Sequence, residues 1–160
     1  MDKIEELELL NSIKEKIKKN DVVIDMFKKY DVNLDYIDYV PLAFAELDVS
    51  ARCDHGIIYF NYKLLDKPDQ LDHYFCHELT HHLQQCYSSK ATKGANDGDY
   101  LDNKFEQEGF RNQTEYLSET RGDNVAENYI DKVLDHHEVD SKKEREKRKK
   151  KLLQLSDESK

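Results

Sequence analysis

Leu71, Phe75, Leu79 and Leu83 fall at every fourth position of an uninterrupted run that begins just after Pro68. Residues four apart stack on one face of an α-helix, so this segment must bury an apolar stripe in a core. Asp66 or Lys67 serves as its cap, and Pro68 is tolerated in the first turn. A neighbouring stripe carries His77, Glu78 and His81, spaced H-E-x-x-H. The two imidazoles lie one above the other and can reach a single cation. Glu78 projects about 100° round the helix from His77, near enough to hold a water on that cation and take its proton. The cluster reads as a candidate zinc hydrolase centre, with His73 and His82 off the metal face and on the surface.

A catalytic zinc takes three protein ligands and keeps its fourth position open, so a carboxylate or imidazole must come from elsewhere. The segment Glu115 to Leu134 reads as a second helix, with Leu117, Val125, Tyr129, Ile130, Val133 and Leu134 at helical intervals. It holds Glu119 and Asp123 one turn apart, with Glu115 one turn earlier as the alternative ligand. Glu106, Glu108 and Asp102 are weaker candidates for the ligand and read rather as parts of a solvated loop.

With these residues in view, the chain resembles the gluzincin metallopeptidases, in which H-E-x-x-H is followed on a later helix by a ligand Glu in an E-x-x-A-D or E-x-x-x-D setting. The resemblance covers roughly Leu42 to Leu134 and extends to Gly56-Ile57-Ile58-Tyr59-Phe60-Asn61 as the strand leading into the metal helix. Small intracellular ImmA/IrrE-like, SprT-like and phage-encoded zincins share this outline. The resemblance implies that Glu119 is the third ligand and that Asp123 hydrogen-bonds His77 or His81. A carboxylate there would fix the imidazole's other N–H and raise its basicity. Gly122 would supply a small residue where the two helices approach. The implied cofactor is Zn2+, and the implied fold is a small zincin-like α+β domain, mostly helical, with a short sheet or hairpin beside the H-E-x-x-H helix.

Composition agrees with that class. Charged residues make up 37% of the 160 positions and Gly and Pro number 5 and 2, which disfavours a sandwich of many short strands. No apolar run is long enough to span a bilayer, and Met1-Asp2-Lys3-Ile4-Glu5-Glu6 is not a secretory leader, so a cytoplasmic protein without a membrane partner is expected. Cys53, Cys76 and Cys86 lack C-x-x-C spacing. Cys76 and Cys86 would lie about 15 Å apart along one helix, so all three read as buried apolar residues. The last twenty residues hold nine basic and four acidic side chains, which leaves residues 1–140 at roughly −14 and the tail at roughly +5. An acidic body argues against nucleic-acid binding except through that tail.

Two N-terminal helices are expected, Asp2 to Lys19 and Val22 to Tyr30. Leu42 to Val49 and Ile57 to Asn61 read as strands, most economically paired as a hairpin, and either could bind an extended peptide by adding it to the sheet. A polar stretch from Ser88 to Tyr100 joins the two metal helices; Asp97, Asp99 and Asp102 lack the Gly and Glu of a calcium loop. One domain is expected over 1–140, followed by a solvated basic helical tail, 141–160. The expected function is a zinc metalloendopeptidase acting on a protein or peptide, with Glu78 as base and an oxyanion donor among Tyr116, Tyr129, Arg121 and His136 or His137. The alternatives are a regulatory binding module that keeps the fold without catalysis, and a protease recruited to nucleic acid by the tail.

Overall fold

Short polar side chains set where the helices begin. Asp2 accepts the backbone N–H of Glu5, Asn20 those of Val22 and Val23, and Asn103 those of Phe105 and Glu106, each supplying an acceptor that a first helical turn lacks. The computed structural model describes residues 2–87 and 100–156. The elements are α1 (Lys3–Lys18), α2 (Asp21–Lys29), β1 (Leu42–Ala45), β2 (Ala51–Asp54), β3 (Ile57–Asn61), α3 (Leu71–Tyr87), α4 (Lys104–Arg121), α5 (Asp123–His136) and α6 (Lys142–Leu152). This is the mostly helical α+β class expected, with one small sheet. Asp97 and Asp99, two of the acidic residues compared with a calcium loop, lie outside the described residues.

The sheet has the order β1-β3-β2. β3 pairs antiparallel with β2 through the His55-Gly56 turn and parallel with β1 on its other side. The expected hairpin therefore forms with Ala51–Asp54 as the partner, and Leu42 to Val49 shortens to a parallel strand on the far edge. A two-residue turn pairs β3 with the residues immediately before it, Ala51–Asp54, so the longer, earlier strand is not the hairpin partner. β3, once a candidate to pair with substrate, is the central strand with both edges used. β2 is an edge, and it packs on α3.

Among the described residues, two clusters divide the interior. Leu71, Phe75, Leu79 and Leu83 are completely buried in the larger one, with Ile17, Val23, Phe27, Ile58 and Phe60 from α1, α2 and β3. The smaller joins Leu101, Phe110, Ile130, Leu134 and Leu152. α4 runs between them and touches α3, α5 and α6. α6 is thus seated on the domain: Leu152 is completely buried, while Arg145 and Lys149 pair with Asp135 and Asp131 of α5. Its inward residues dock it, and only its outward lysines fit the solvated reading.

The helix expected over Glu115 to Leu134 is two helices broken at Gly122. A Cβ at Gly122 would meet nothing within 4 Å, so close packing is not the reason for a glycine there. Its φ of 101° and ψ of 158° lie in a region that only glycine enters freely. Gly122→Ala should cost about 1–3 kcal/mol. Urea unfolding measures this, and an unchanged midpoint would refute the conformational account.

Candidate metal centre

α3 and α4 run antiparallel, from Gln84 beside Phe105 at one end to Asp72 beside Arg121 at the other. They come close together at Gly109, where a Cβ would lie within 2.9 Å of His77 Nε2. That missing side chain lets α4 lie against the imidazole, and Phe110 then packs edge-on against the same ring. Asn103 starts α4 so that Glu106 falls in its first turn, where the helix dipole favours a carboxylate.

His77, His81 and Glu106 each aim one ligand atom at a common point. His77 Nε2 and His81 Nε2 are 3.1 Å apart, and Glu106 Oε1 lies 3.1 Å from the first and 2.9 Å from the second. Bonds of about 2.0–2.1 Å would set tetrahedral zinc ligands about 3.3 Å apart, so the triangle is close to the size a zinc ion requires. The outer hydrogen bonds decide what the facing atoms can do. Gln84 gives its NH2 to the carbonyl of Phe105 and to Glu108, so its oxygen accepts from His81 Nδ1 at 2.8 Å. Gln113 turns its NH2 to His73 Nδ1, so its oxygen accepts from His77 Nδ1 at 2.8 Å. Both rings keep a proton on Nδ1 and turn Nε2 toward the Glu106 carboxylate. With each Nδ1 proton held by an amide oxygen, the three facing atoms call for a positive charge between them, which a metal ion or a proton can supply.

When no metal ion supplies that charge, a proton shared toward Glu106 takes its place on His81. Burial alone would depress His81, but the Glu106 carboxylate outweighs it, with Glu78 adding, and lifts the imidazole to about 9. Burial would raise Glu106, yet the two histidines hold its carboxyl well below the usual range. His73 is pushed down to about 3 by burial and stays neutral behind Gln113.

A cleft of about 310 Å³ opens on this group. Glu78, His81 and Glu106 line it from the helices, Ala51 and Cys53 from β2, and Tyr100 from the turn before α4. Tyr100 stacks on His137 with ring centroids 5.1 Å apart. Burial and the facing carboxylates push its phenol far up, so it remains a proton donor. Burial, with Glu78 nearby, pushes the Cys53 thiol up to about 12.

Several expectations need correction. Glu119 does not join the histidines: it lies thirteen residues beyond Glu106 on the same helix, about 20 Å along its axis, and approaches Asn20 instead. Glu115 is likewise about 13 Å too far along. Asp123 orients neither imidazole; it opens α5 and accepts from Ser118 Oγ. Tyr116 and Arg121 donate to buried Asp72 rather than facing the cleft. Tyr129 packs against His73 and Tyr74. His136 and His137 are exposed, and His137 reaches the cleft only through Tyr100. His73 and His82 are 3% and 2% exposed, so neither is a surface residue, and Cys86 is exposed rather than buried. Glu106 and Glu108 belong to a helix. Two signals pointed to that helix: Asn103 followed three residues on by Glu106 has the form of an N-terminal cap, and Glu106-x-x-Gly109 places a small residue one turn after a carboxylate.

No helix among the described residues is long and apolar enough to cross a membrane. Compared with protein-family models, curated proteins and solved structures, the chain matches none.

Proposed function

We propose that this chain is a zinc-dependent metalloendopeptidase of gluzincin type, with His77, His81 and Glu106 as the metal-holding residues. The observation that carries the reading is the convergence of three cation-seeking atoms beside Glu78, in a cleft whose opposite wall is an edge strand. A zinc ion in such a site supplies Lewis acidity, which brings the pKa of water towards ~7 and polarises a carbonyl.

The chain's own residues supply the rest. Ser50 accepts the Asn61 N–H, so by antiparallel alternation Ala51 and Cys53 turn their N–H and C=O groups away from β3. An extended peptide pairing with them would lie along the cleft, recognised through its backbone rather than particular side chains. Glu78 takes the proton of the attacking water and can pass it to the leaving amine. The Tyr100 phenol donates to the carbonyl oxygen as charge develops there.

The test is Glu78→Gln. Against a denatured protein substrate, the variant should lose about 10²–10⁴-fold in hydrolysis while keeping one zinc per chain by metal mass spectrometry. Equal cleavage by the variant would remove Glu78 as the base. A wild type that binds zinc and cleaves no unfolded polypeptide would overturn the peptidase reading.

A further inference from the structure

Each metal-facing histidine makes its outer hydrogen bond to an amide, where a carboxylate would do the same job with a charge. Gln113 is completely buried and Gln84 is 2% exposed. Neither amide can turn over freely: Gln84 holds the Phe105 carbonyl at 3.1 Å and Glu108 at 2.6 Å, and Gln113 holds His73 Nδ1 at 2.8 Å. Behind Gln113 the line continues through His73 to Gln70 and meets a charge only at the surface, where Gln70 donates to the exposed Asp69 carboxylate at 3.2 Å. Behind Gln84 the nearest charge is Glu108, itself tied to Lys29 and Tyr30 of the α2 end.

The charge balance gives a reason for amides. A divalent cation facing Glu106 and Glu78 would already be neutralised. A carboxylate in place of either glutamine would add negative charge to a buried site, and it would also make the attached imidazole a stronger donor.

We propose, resting on the metal-centre reading above, that Gln84 and Gln113 are the positioning residues of this centre. They lock both rings with Nε2 free, and their neutrality makes the site hold a divalent cation less tightly than carboxylate partners would. The centre is in this sense built to exchange its metal.

The experiment is a Zn2+ titration of the full chain against a chromophoric chelator, with thermal melts of the metal-free proteins alongside. Gln113→Leu and Gln84→Leu keep the bulk and lose the acceptor, and each should weaken Zn2+ binding by about 10–100-fold. Gln113→Glu keeps the acceptor and adds charge, and it should tighten binding by about tenfold. A purely structural role would shift both Gln113 variants in the same direction as their metal-free melting temperatures. Opposite shifts in affinity support positioning. Gln113→Leu and Gln113→Glu that both match the wild type, or both weaken it alike, overturn the proposal. A wild type that takes up no Zn2+ overturns the metal centre itself, which is a separate result.

Discussion

On the proposed zinc site, Glu106→Ala should abolish metal binding and Glu119→Ala should leave it in place. The first substitution takes away one of three atoms that lie within 3.1 Å of one another. Two neutral imidazoles on one helix then remain, with no anionic donor between them. The affinity loss should exceed the 10–100-fold typical of removing an outer hydrogen-bond partner, and hydrolysis should fall with it. Glu119 lies on the stretch of α4 that faces Asn20, so its removal should change zinc content by nothing measurable. Metal mass spectrometry after zinc exposure and gel filtration gives the answer: near zero zinc per chain for Glu106→Ala and near one for Glu119→Ala. The reverse pattern would refute the geometry of the centre. Because Glu106 is a fifth exposed and sits near a helix start, its loss should leave the fold intact.

The contrast between these two glutamates marks how far the sequence could be read. The apolar stripe and the His77/His81 pair of α3 were legible, since residues at spacing four require only helical periodicity, whereas the burial of His73 and His82 was not. Glu106 was harder, because it follows a polar stretch with no apolar period of its own. What makes α4 a helix there is a cap at Asn103 and burial on two sides, and two-sided burial erases the amphipathic stripe by which helices are recognised. Gly122 misled for a related reason. A glycine between two carboxylates looks like a packing site, whereas its backbone angles end one helix and begin another. The outer partners were missed in kind as well as identity: the Asp123 carboxylate was expected, and each Nδ1 instead meets a glutamine oxygen, 36 residues along the chain for His77 and 3 for His81, spacings that give no recognisable motif.

Asp72→Asn should be the most destabilising single change outside the core. Asp72 is 2% exposed and gathers Arg121 at 2.8 Å, Lys16 at 2.9 Å and the Tyr116 hydroxyl at 2.7 Å, joining α1, α3 and α4 at the end opposite the metal centre. An asparagine keeps the size and loses the charge, leaving Arg121, whose side chain is 22% exposed, next to a neutral amide. Breaking a fully buried pair costs about 3–5 kcal/mol; with Lys16 more than half exposed and Arg121 partly so, about 2–4 kcal/mol is expected. The pH dependence separates this from a packing defect. Burial alone would raise the Asp72 carboxyl, but hydrogen bonds from Lys16, Arg121 and Tyr116 outweigh it and hold the folded-state value below that of the unfolded chain. The stabilisation is therefore complete above about pH 4, the unfolded value, and is lost as pH falls through the lower folded one. Urea unfolding at pH 7 and at successive points below pH 4 should show the gap between wild type and Asp72→Asn narrowing with acid. A gap that stays constant down to pH 2 would mean that the charge on Asp72 contributes nothing, and that the variant is weakened by its shape alone.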